Sequence, residues 1–99
     1  MTERPTPAED ETLDQITRDW WIFQLRKGHR FSTDDTVTAW TAGHARPDAL
    51  RVIDIGAGLG SVGLMTLHYL RPEARSVFVE AQEVSHRLCA KTIAYNDLG

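Results

Sequence analysis

The chain has little of several features that would assign it to a class of protein at once. Its 99 residues contain one cysteine, Cys89, which excludes an internal disulfide and fits a reducing compartment. No apolar run approaches the roughly 18 residues of a membrane helix, and the acidic N-terminus does not resemble a signal peptide. The chain has 11 basic and 14 acidic residues, and its net charge of −3 therefore gives no argument for a surface that binds nucleic acid or membrane. We therefore expect one small cytoplasmic domain.

The most informative stretch lies in the middle of the chain. The β-branched apolar run Leu50–Ile55 predicts a strand that is buried on both faces of a parallel sheet. Three glycines with a spacing of two follow it: Gly56, Gly58 and Gly60. Residues 61–70 predict a helix, and Ser76–Glu80 predicts a second buried strand. This order indicates a βαβ unit, in which a glycine turn brings main chain close to a nucleotide-like ligand.

The N-terminal half carries weaker signals. Residues 1–11 predict a solvated, poorly ordered acidic tail. Thr12 is expected to cap a short helix that extends to Arg18. The alternation after Trp20 predicts a strand, with a turn at residues 26–29 and a return strand at residues 30–31. A helix that continues through the same segment is the alternative.

Two further helices are predicted around the central unit. Ser32 and Asp35 have the spacing of a capping box and begin a helix that ends near Gly43. Glu83–Tyr95 predicts an amphipathic helix after the second strand. The division is then a tail at 1–11, a helix, hairpin and capping helix at 12–48, and a partial cofactor-binding domain at 49–99.

Local chemistry at the glycine turn favours one class of ligand. The N-terminus of the following helix attracts an anion, but Asp54 at the end of the strand would repel a pyrophosphate. The dinucleotide pattern G-x-G-x-x-G is also imperfect, since its sixth position is Ser61. S-adenosylmethionine fits better, because it carries a carboxylate and two cationic groups and no phosphate. Glu80, about 20 residues further on, is placed to accept hydrogen bonds from ribose hydroxyls. The alternative is a tight turn without a ligand, in which Asp54 accepts loop N–H groups.

These residues carry a resemblance to a known family. The stretch Asp54–Gly60 resembles the first motif of class I S-adenosylmethionine-dependent methyltransferases, and Val79–Glu80 resembles their acidic ribose-binding motif. Three stretches together are similar to bacterial-type methyltransferases of the adenine amine in tRNA: Lys27–Asp34, Val79–Glu83 and Tyr95–Leu98. The resemblance implies an α/β fold with a Rossmann-like methyltransferase βαβ unit, an N-terminal hairpin and helix extension, and an incomplete parallel sheet.

The resemblance also implies roles for individual residues. Four residues of the turn would hold the methionine end of the cofactor: Asp54, Gly56, Gly58 and Gly60. Glu80 would hold the ribose, and Ala81 would line the adenine pocket. Three residues would close the site from the N-terminal side: Arg30, Thr33 and Asp34. The basic turn Arg26–Arg30 would contact RNA, although such a turn is more often merely solvated.

One departure limits what this chain is expected to do alone. The family has an Asn-Pro-Pro-aromatic motif that grips the target amine, and the 99 residues contain no Asn-Pro pair. We therefore expect no catalytic residue in this chain, which would be the cofactor-binding part of a longer or truncated enzyme. Self-association or a partner chain would cover its open sheet. The alternatives are a methyltransferase of proteins or small molecules, a fragment of an NAD-dependent oxidoreductase, and a non-catalytic subunit.

Overall fold

A computed structural model describes residues 4–98, so the part of the predicted tail at residues 1–3 lies outside the described residues, as does residue 99. Within the described range the chain is an α/β protein with three helices and two separate two-stranded sheets. The elements in chain order are β1 (Glu11–Gln15), β2 (Trp21–Leu25), α1 (Thr33–Ala45), β3 (Arg51–Ile55), α2 (Ser61–His68), β4 (Arg75–Val79) and α3 (Glu83–Tyr95).

The central strand–helix–strand unit forms as predicted. β3 and β4 pair in parallel, with Asp54 opposite Phe78 and Ile55 opposite Val79. The turn after β3 is tied to the neighbouring strand, because the N–H groups of Gly56 and Ala57 both donate to the carbonyl of Val79, at 2.8 and 2.9 Å. Both strands therefore end at one edge of the sheet, with the glycine turn above it.

The expectation that these strands are buried on both faces is wrong for the described residues. Side chains alternate between a partly buried face and an exposed face along both β3 and β4. α2 packs against the first face, where Phe78 lies close to Gly60 and Gly63. The exposed face carries aliphatic side chains without cover within residues 4–98. Both faces of the β3–β4 sheet carry apolar side chains, and the helices within residues 4–98 cover one of the two faces.

The N-terminal hairpin differs from the prediction. The segment expected to be a helix from Thr12 to Arg18 begins as strand β1, which pairs antiparallel with β2. The return strand expected at residues 30–31 does not form, and the N–H of Phe31 donates instead to the Gln24 side chain at 2.8 Å. The strand prediction for β2 is confirmed, but its partner precedes it in the chain.

The hairpin packs against α3 through a small core. Ile22, Phe23, Leu59 and Leu88 are buried together, with Leu13 and Tyr95 packed around them. Side chains of α3 and of Asn96, which follows it, also bond the main chain of β2. Thr92 Oγ1 accepts the Phe23 N–H at 3.0 Å, and Asn96 both accepts from the Trp21 N–H and donates to its carbonyl. α3 therefore serves as a polar neighbour for β2.

Glu11 corrects the C-terminal limit of the predicted tail. It is the first residue of β1 and is only 3% exposed. Its Oε1 pairs with Lys91 Nζ of α3 and also accepts the Ala8 N–H at 3.0 Å. A carboxylate is buried only when it has such partners, and this pair joins the two ends of the folded unit.

α1 forms over most of its predicted length and covers α2. The Ser32 N–H donates to Asp35 Oδ2 at 3.2 Å, so this part of the predicted capping box is present. Gly43 lies inside the helix against Tyr69, where a Cβ atom would come within 2.5 Å of the Tyr69 Cβ. The helix ends two residues after Gly43 and leaves Val37 and Trp40 about half exposed.

Among residues 4–98, the helices are too short or too polar to cross a lipid bilayer.

Candidate functional site

The main chain of the glycine turn borders open space at two positions. Gly56 and Gly58 have φ angles of 70° and 58°, a region that residues with a Cβ atom adopt only at a cost. A Cβ atom built on either glycine would meet nothing within 4 Å. The packing of this chain therefore does not exclude a side chain at either position. The open space beside these two glycines is large enough for a ligand to approach the main chain.

Gly60 has a different part in the structure from the one predicted. Its φ angle is 91°, but the residue is buried, and a Cβ atom would lie 2.9 Å from Cys89 Sγ and 3.5 Å from the Phe78 ring. Gly60 therefore lets α3 and β4 approach the start of α2. Burial and the nearby carboxylates raise the pKa of Cys89 to about 11, so its thiol stays neutral. Cys89 is a small core residue, 4% exposed.

Asp54 joins the end of β3 to the first turn of α2. The carboxylate is half-buried, and its Oδ2 accepts the Gly63 N–H at 3.0 Å. Burial raises the pKa of Asp54, the Gly63 N–H opposes this shift, and the charges of Asp35 and Glu80 add to it. A nearby cation would offset both the cost of burying the ionised carboxylate and its repulsion from Asp35 and Glu80. The position of Asp54 therefore favours a positively charged ligand. The bond from Gly63 is the one expected for the alternative, in which Asp54 accepts main-chain N–H groups.

Glu80 closes the same turn from the neighbouring strand. Its Oε1 accepts the Gly58 N–H at 2.7 Å, and its Oε2 accepts the Gln82 N–H at 2.8 Å. These N–H groups, that of Gln82 first, lower the pKa of Glu80, so the carboxylate is ionised at neutral pH. Glu80 is thus not a free acid at a strand end. Ala81 follows it, exposed, at the same edge of the sheet.

Asp35 is a site residue that the sequence did not reveal. Its Oδ2 accepts the Ser61 hydroxyl at 3.0 Å and so links α1 to the first residue of α2. It also contributes to the raised pKa of Asp54. The capping-box spacing predicted contact with Ser32, three residues away. No local pattern indicates contact with Ser61, which lies 26 residues further along the chain.

The three residues expected to close the site from the N-terminal side, Arg30, Thr33 and Asp34, do not contact the glycine turn through any hydrogen bond found among residues 4–98. The Arg30 guanidinium donates to the Leu25 carbonyl at 2.7 Å and pairs with Asp14 at 3.1 Å, which braces the hairpin. Thr33 and Asp34 are exposed in the first turn of α1. The structure thus brings Asp54, the glycine turn, Glu80 and Ala81 together, while Arg30 is held at the hairpin.

The basic turn Arg26–Arg30 contains two arginines that bond to main-chain carbonyls of this chain. Arg26 donates to the Glu9 carbonyl at 3.0 Å, and Arg30 braces the hairpin as described. Arg26, Lys27 and His29 are all exposed, whereas Arg30 is partly buried. The RNA contact expected for this turn stays a prediction.

Free N–H groups face the turn from α2. For Ser61 and Val62, at the start of the helix, no acceptor of the main-chain N–H is found among residues 4–98. Within the same residues, no three His, Cys, Asp or Glu side chains are arranged to hold a metal ion. The site therefore offers donors for an organic anion beside two carboxylates for an organic cation.

A separate groove lies at the other end of β3. Its volume is about 560 Å³, and it is lined by residues around the amino end of the strand and the C-terminal parts of α1 and α2, including Arg46, Leu50, Arg51 and Leu70. The Arg46 side chain is paired there with Asp48 at 3.5 Å, and both are largely exposed. The groove is not continuous with the glycine turn, and the buried Thr66 in its lining already donates its hydroxyl to the Val62 carbonyl of the same helix.

No family model matches this chain, and a search of curated proteins finds none that matches.

Proposed function

We propose that the chain binds S-adenosylmethionine at the glycine turn and is the Rossmann-like cofactor-binding part of a methyltransferase. One observation carries the proposal. Two carboxylates from neighbouring parallel strands bond to one strand–turn–helix segment, Asp54 to the Gly63 N–H and Glu80 to the Gly58 N–H. Between them, Gly56 and Gly58 present main chain to open space.

The residues fit the charge pattern of this cofactor. The N–H groups of Ser61 and Val62 suit its carboxylate, because the N-terminus of a helix favours an anion. Asp54 suits the ammonium or sulfonium group, and Glu80 suits the ribose hydroxyls, which can share its oxygens with main-chain donors. A dinucleotide would bring its pyrophosphate close to the same two carboxylates, which is unfavourable.

The cofactor would supply the methyl group, and the residues of this chain would hold and orient it. The target is proposed to be an adenine amine in RNA, on the resemblance of three segments alone: Lys27–Asp34, Val79–Glu83 and Tyr95–Leu98. Methyl transfer needs the acceptor nitrogen held in line with the sulfonium. The family's Asn-Pro-Pro-aromatic motif is absent from the 99 residues, so we expect binding without turnover by this chain alone.

Calorimetric titration tests the proposal. S-adenosylmethionine and its demethylated product, S-adenosylhomocysteine, should each bind with micromolar affinity and a stoichiometry of one per chain. NAD, titrated under the same conditions, should give no heat of binding. Absence of binding by both sulfur nucleosides would contradict the proposal, and tighter binding of NAD would favour the oxidoreductase alternative.

A further inference from the structure

The helices α1 and α2 lie side by side with their N-termini at the same end. Three contacts show their direction, because the residue numbers rise together in both helices: Asp35 with Ser61, Thr36 with Met65, and Gly43 with Tyr69. The helices are therefore parallel, and the first turn of α1 lies beside the first turn of α2. Since α2 begins directly after the glycine turn, α1 also borders the proposed cofactor site.

A hydrogen bond between side chains joins the two first turns. The Ser61 hydroxyl donates to Asp35 Oδ2 at 3.0 Å, and the same oxygen accepts the Ser32 N–H at 3.2 Å. Ser61 is buried and Asp35 is partly buried, so water has little access to the bond between them. Asp35 is thus held on its own helix by Ser32 and in turn holds the first residue of α2.

The orientation of Ser61 matters for binding an anion. Its main-chain N–H and that of Val62 have no acceptor among residues 4–98. The residue before it, Gly60, has a φ angle of 91°, which leads the chain from the turn into the helix. Main-chain N–H groups at the start of a helix bind an anion when they point at it together. The orientation of this first turn therefore determines how well it can hold a carboxylate.

We propose that Asp35 is a positioning residue of the cofactor site. Through the Ser61 hydroxyl, Asp35 holds the first turn of α2 in the orientation in which its N–H groups meet the carboxylate of S-adenosylmethionine. The inference rests on the proposed function, and it gives α1 a role in the site through a residue other than Thr33 and Asp34.

The hydrogen bond, and not the charge, is the property of Asp35 that this role requires. The charge of Asp35 would repel the carboxylate of the cofactor and attract its ammonium group, so the two effects oppose each other. An asparagine oxygen can accept both the Ser61 hydroxyl and the Ser32 N–H, because a single oxygen of Asp35 accepts both. Asp35→Asn therefore removes the charge and keeps the hydrogen bonds, whereas Asp35→Ala removes both.

Calorimetric titration with two ligands tests the proposal. S-adenosylhomocysteine carries the amino-acid end of the cofactor, and methylthioadenosine has the same nucleoside and sulfur without that end. Asp35→Ala should weaken the binding of S-adenosylhomocysteine roughly fivefold or more, because the ligand must then order the turn that a hydrogen bond orders in the wild type. The same variant should bind methylthioadenosine as the wild type does. Asp35→Asn should bind both ligands normally, as should the control Asp19→Ala, in the exposed connection between β1 and β2.

Ser61→Ala removes the same hydrogen bond from the other side and leaves the cap of α1 intact. It should weaken the binding of S-adenosylhomocysteine as much as Asp35→Ala does. The double variant should be no weaker than either single variant, since the two residues act as one unit. This variant keeps the test valid if Asp35→Ala lowers the stability of α1, which circular dichroism and urea denaturation measure.

The outcomes separate this inference from the proposed function. Equal losses for both ligands would show a general loosening of the site and overturn the positioning role. Asp35→Asn as weak as Asp35→Ala would assign the effect to charge and overturn it as well. A wild type that binds S-adenosylhomocysteine no better than Asp35→Ala and Ser61→Ala do would overturn the inference alone. A wild type that binds neither ligand would contradict the proposed function, and the inference would fail with it.

Discussion

The main-chain N–H of Gly58 donates to Oε1 of Glu80 over 2.7 Å, although 22 residues separate the two positions. The bond joins the turn after β3 to the residue that follows β4, so the parallel pairing of the two strands brings the two groups together. Glu80 is therefore both a support for the turn and a candidate contact for the ribose. Any ligand hydroxyl that bonds Glu80 must share its oxygens with Gly58 and Gln82.

Glu80→Gln should weaken the binding of S-adenosylhomocysteine roughly tenfold, because hydrogen bonds to a carboxylate are stronger than those to a neutral amide. The amide oxygen can still accept one main-chain N–H, but the amide NH₂ group cannot accept the other, and the negative charge is lost. Calorimetric titration measures the change. Glu73→Gln, in the exposed loop before β4, is the control and should bind normally. Equal affinity of the Glu80 variant and the wild type would remove Glu80 from the site.

Gly58→Ala and Gly63→Ala should separate ligand binding from folding. A Cβ atom at Gly58 meets no atom, so its cost is the left-handed φ of 58°, about 1–2 kcal/mol. It would, however, occupy the space proposed for the cofactor, and binding should fall below detection. At Gly63 a Cβ atom would lie 2.9 Å from both Asp54 Oδ2 and the Phe78 ring, which should destabilise the fold by about 2–3 kcal/mol.

Urea denaturation with calorimetric titration of both variants checks this expectation. If Gly58→Ala binds S-adenosylhomocysteine as the wild type does, the open space in front of the turn is not the ligand site. If Gly63→Ala is as stable as the wild type, the close approach of α2 to β3 is looser than the structure indicates.

The central unit could be predicted from sequence because its signals are local. β-Branched runs, three spaced glycines and a helix start lie within about one βαβ length, and their order alone places Asp54 and Glu80 at one edge of a parallel pair. The same local reading could not show that Gly60 differs from Gly56 and Gly58. That difference depends on Cys89, which lies in another element and approaches Gly60 only in the folded chain.

The N-terminal segment could not be predicted because long-range contacts decide it. Residues 12–18 have a capping threonine and two apolar residues at helical spacing, which by themselves predict a helix. In the fold, Asp14 accepts hydrogen bonds from both Gln24 and Arg30, and it lies opposite Ile22 in the sheet. These partners hold the segment extended. Tertiary contacts here override a weak local preference.

Thr92→Val should destabilise the protein by about 1–3 kcal/mol, although the two side chains have nearly the same shape. Thr92 is 2% exposed, and its hydroxyl accepts the N–H of Phe23 within the core. Valine would leave this buried donor without a partner. Urea denaturation measures the loss, and Thr38→Val on the exposed side of α1 is the control. A Thr92 variant as stable as the wild type would show that the Phe23 N–H finds another acceptor.

The pair of Glu11 and Lys91 should make the stability of the fold sensitive to acid. Burial alone would raise the pKa of Glu11, but the hydrogen bonds from Lys91 and the Ala8 N–H, with the charges of Lys91 and Arg87, outweigh it and lower the pKa below 4.5. An acid with a lowered pKa in the folded state contributes stability above its ordinary pKa. That contribution is lost as the pH falls from about 4.5 through the lower folded value.

Glu11→Gln should therefore cost about 2 kcal/mol at neutral pH, less than for a fully buried pair because the Lys91 side chain is 22% exposed. Below the folded pKa of Glu11 the difference from the wild type should shrink, since the wild-type carboxyl is then protonated as well. Urea denaturation at a series of pH values measures both effects. Glu9→Gln, on an exposed neighbouring residue, is the control and should follow the wild-type curve. A Glu11 variant whose deficit is the same at every pH would show that the shape of the side chain, and not its charge, stabilises this end of the molecule.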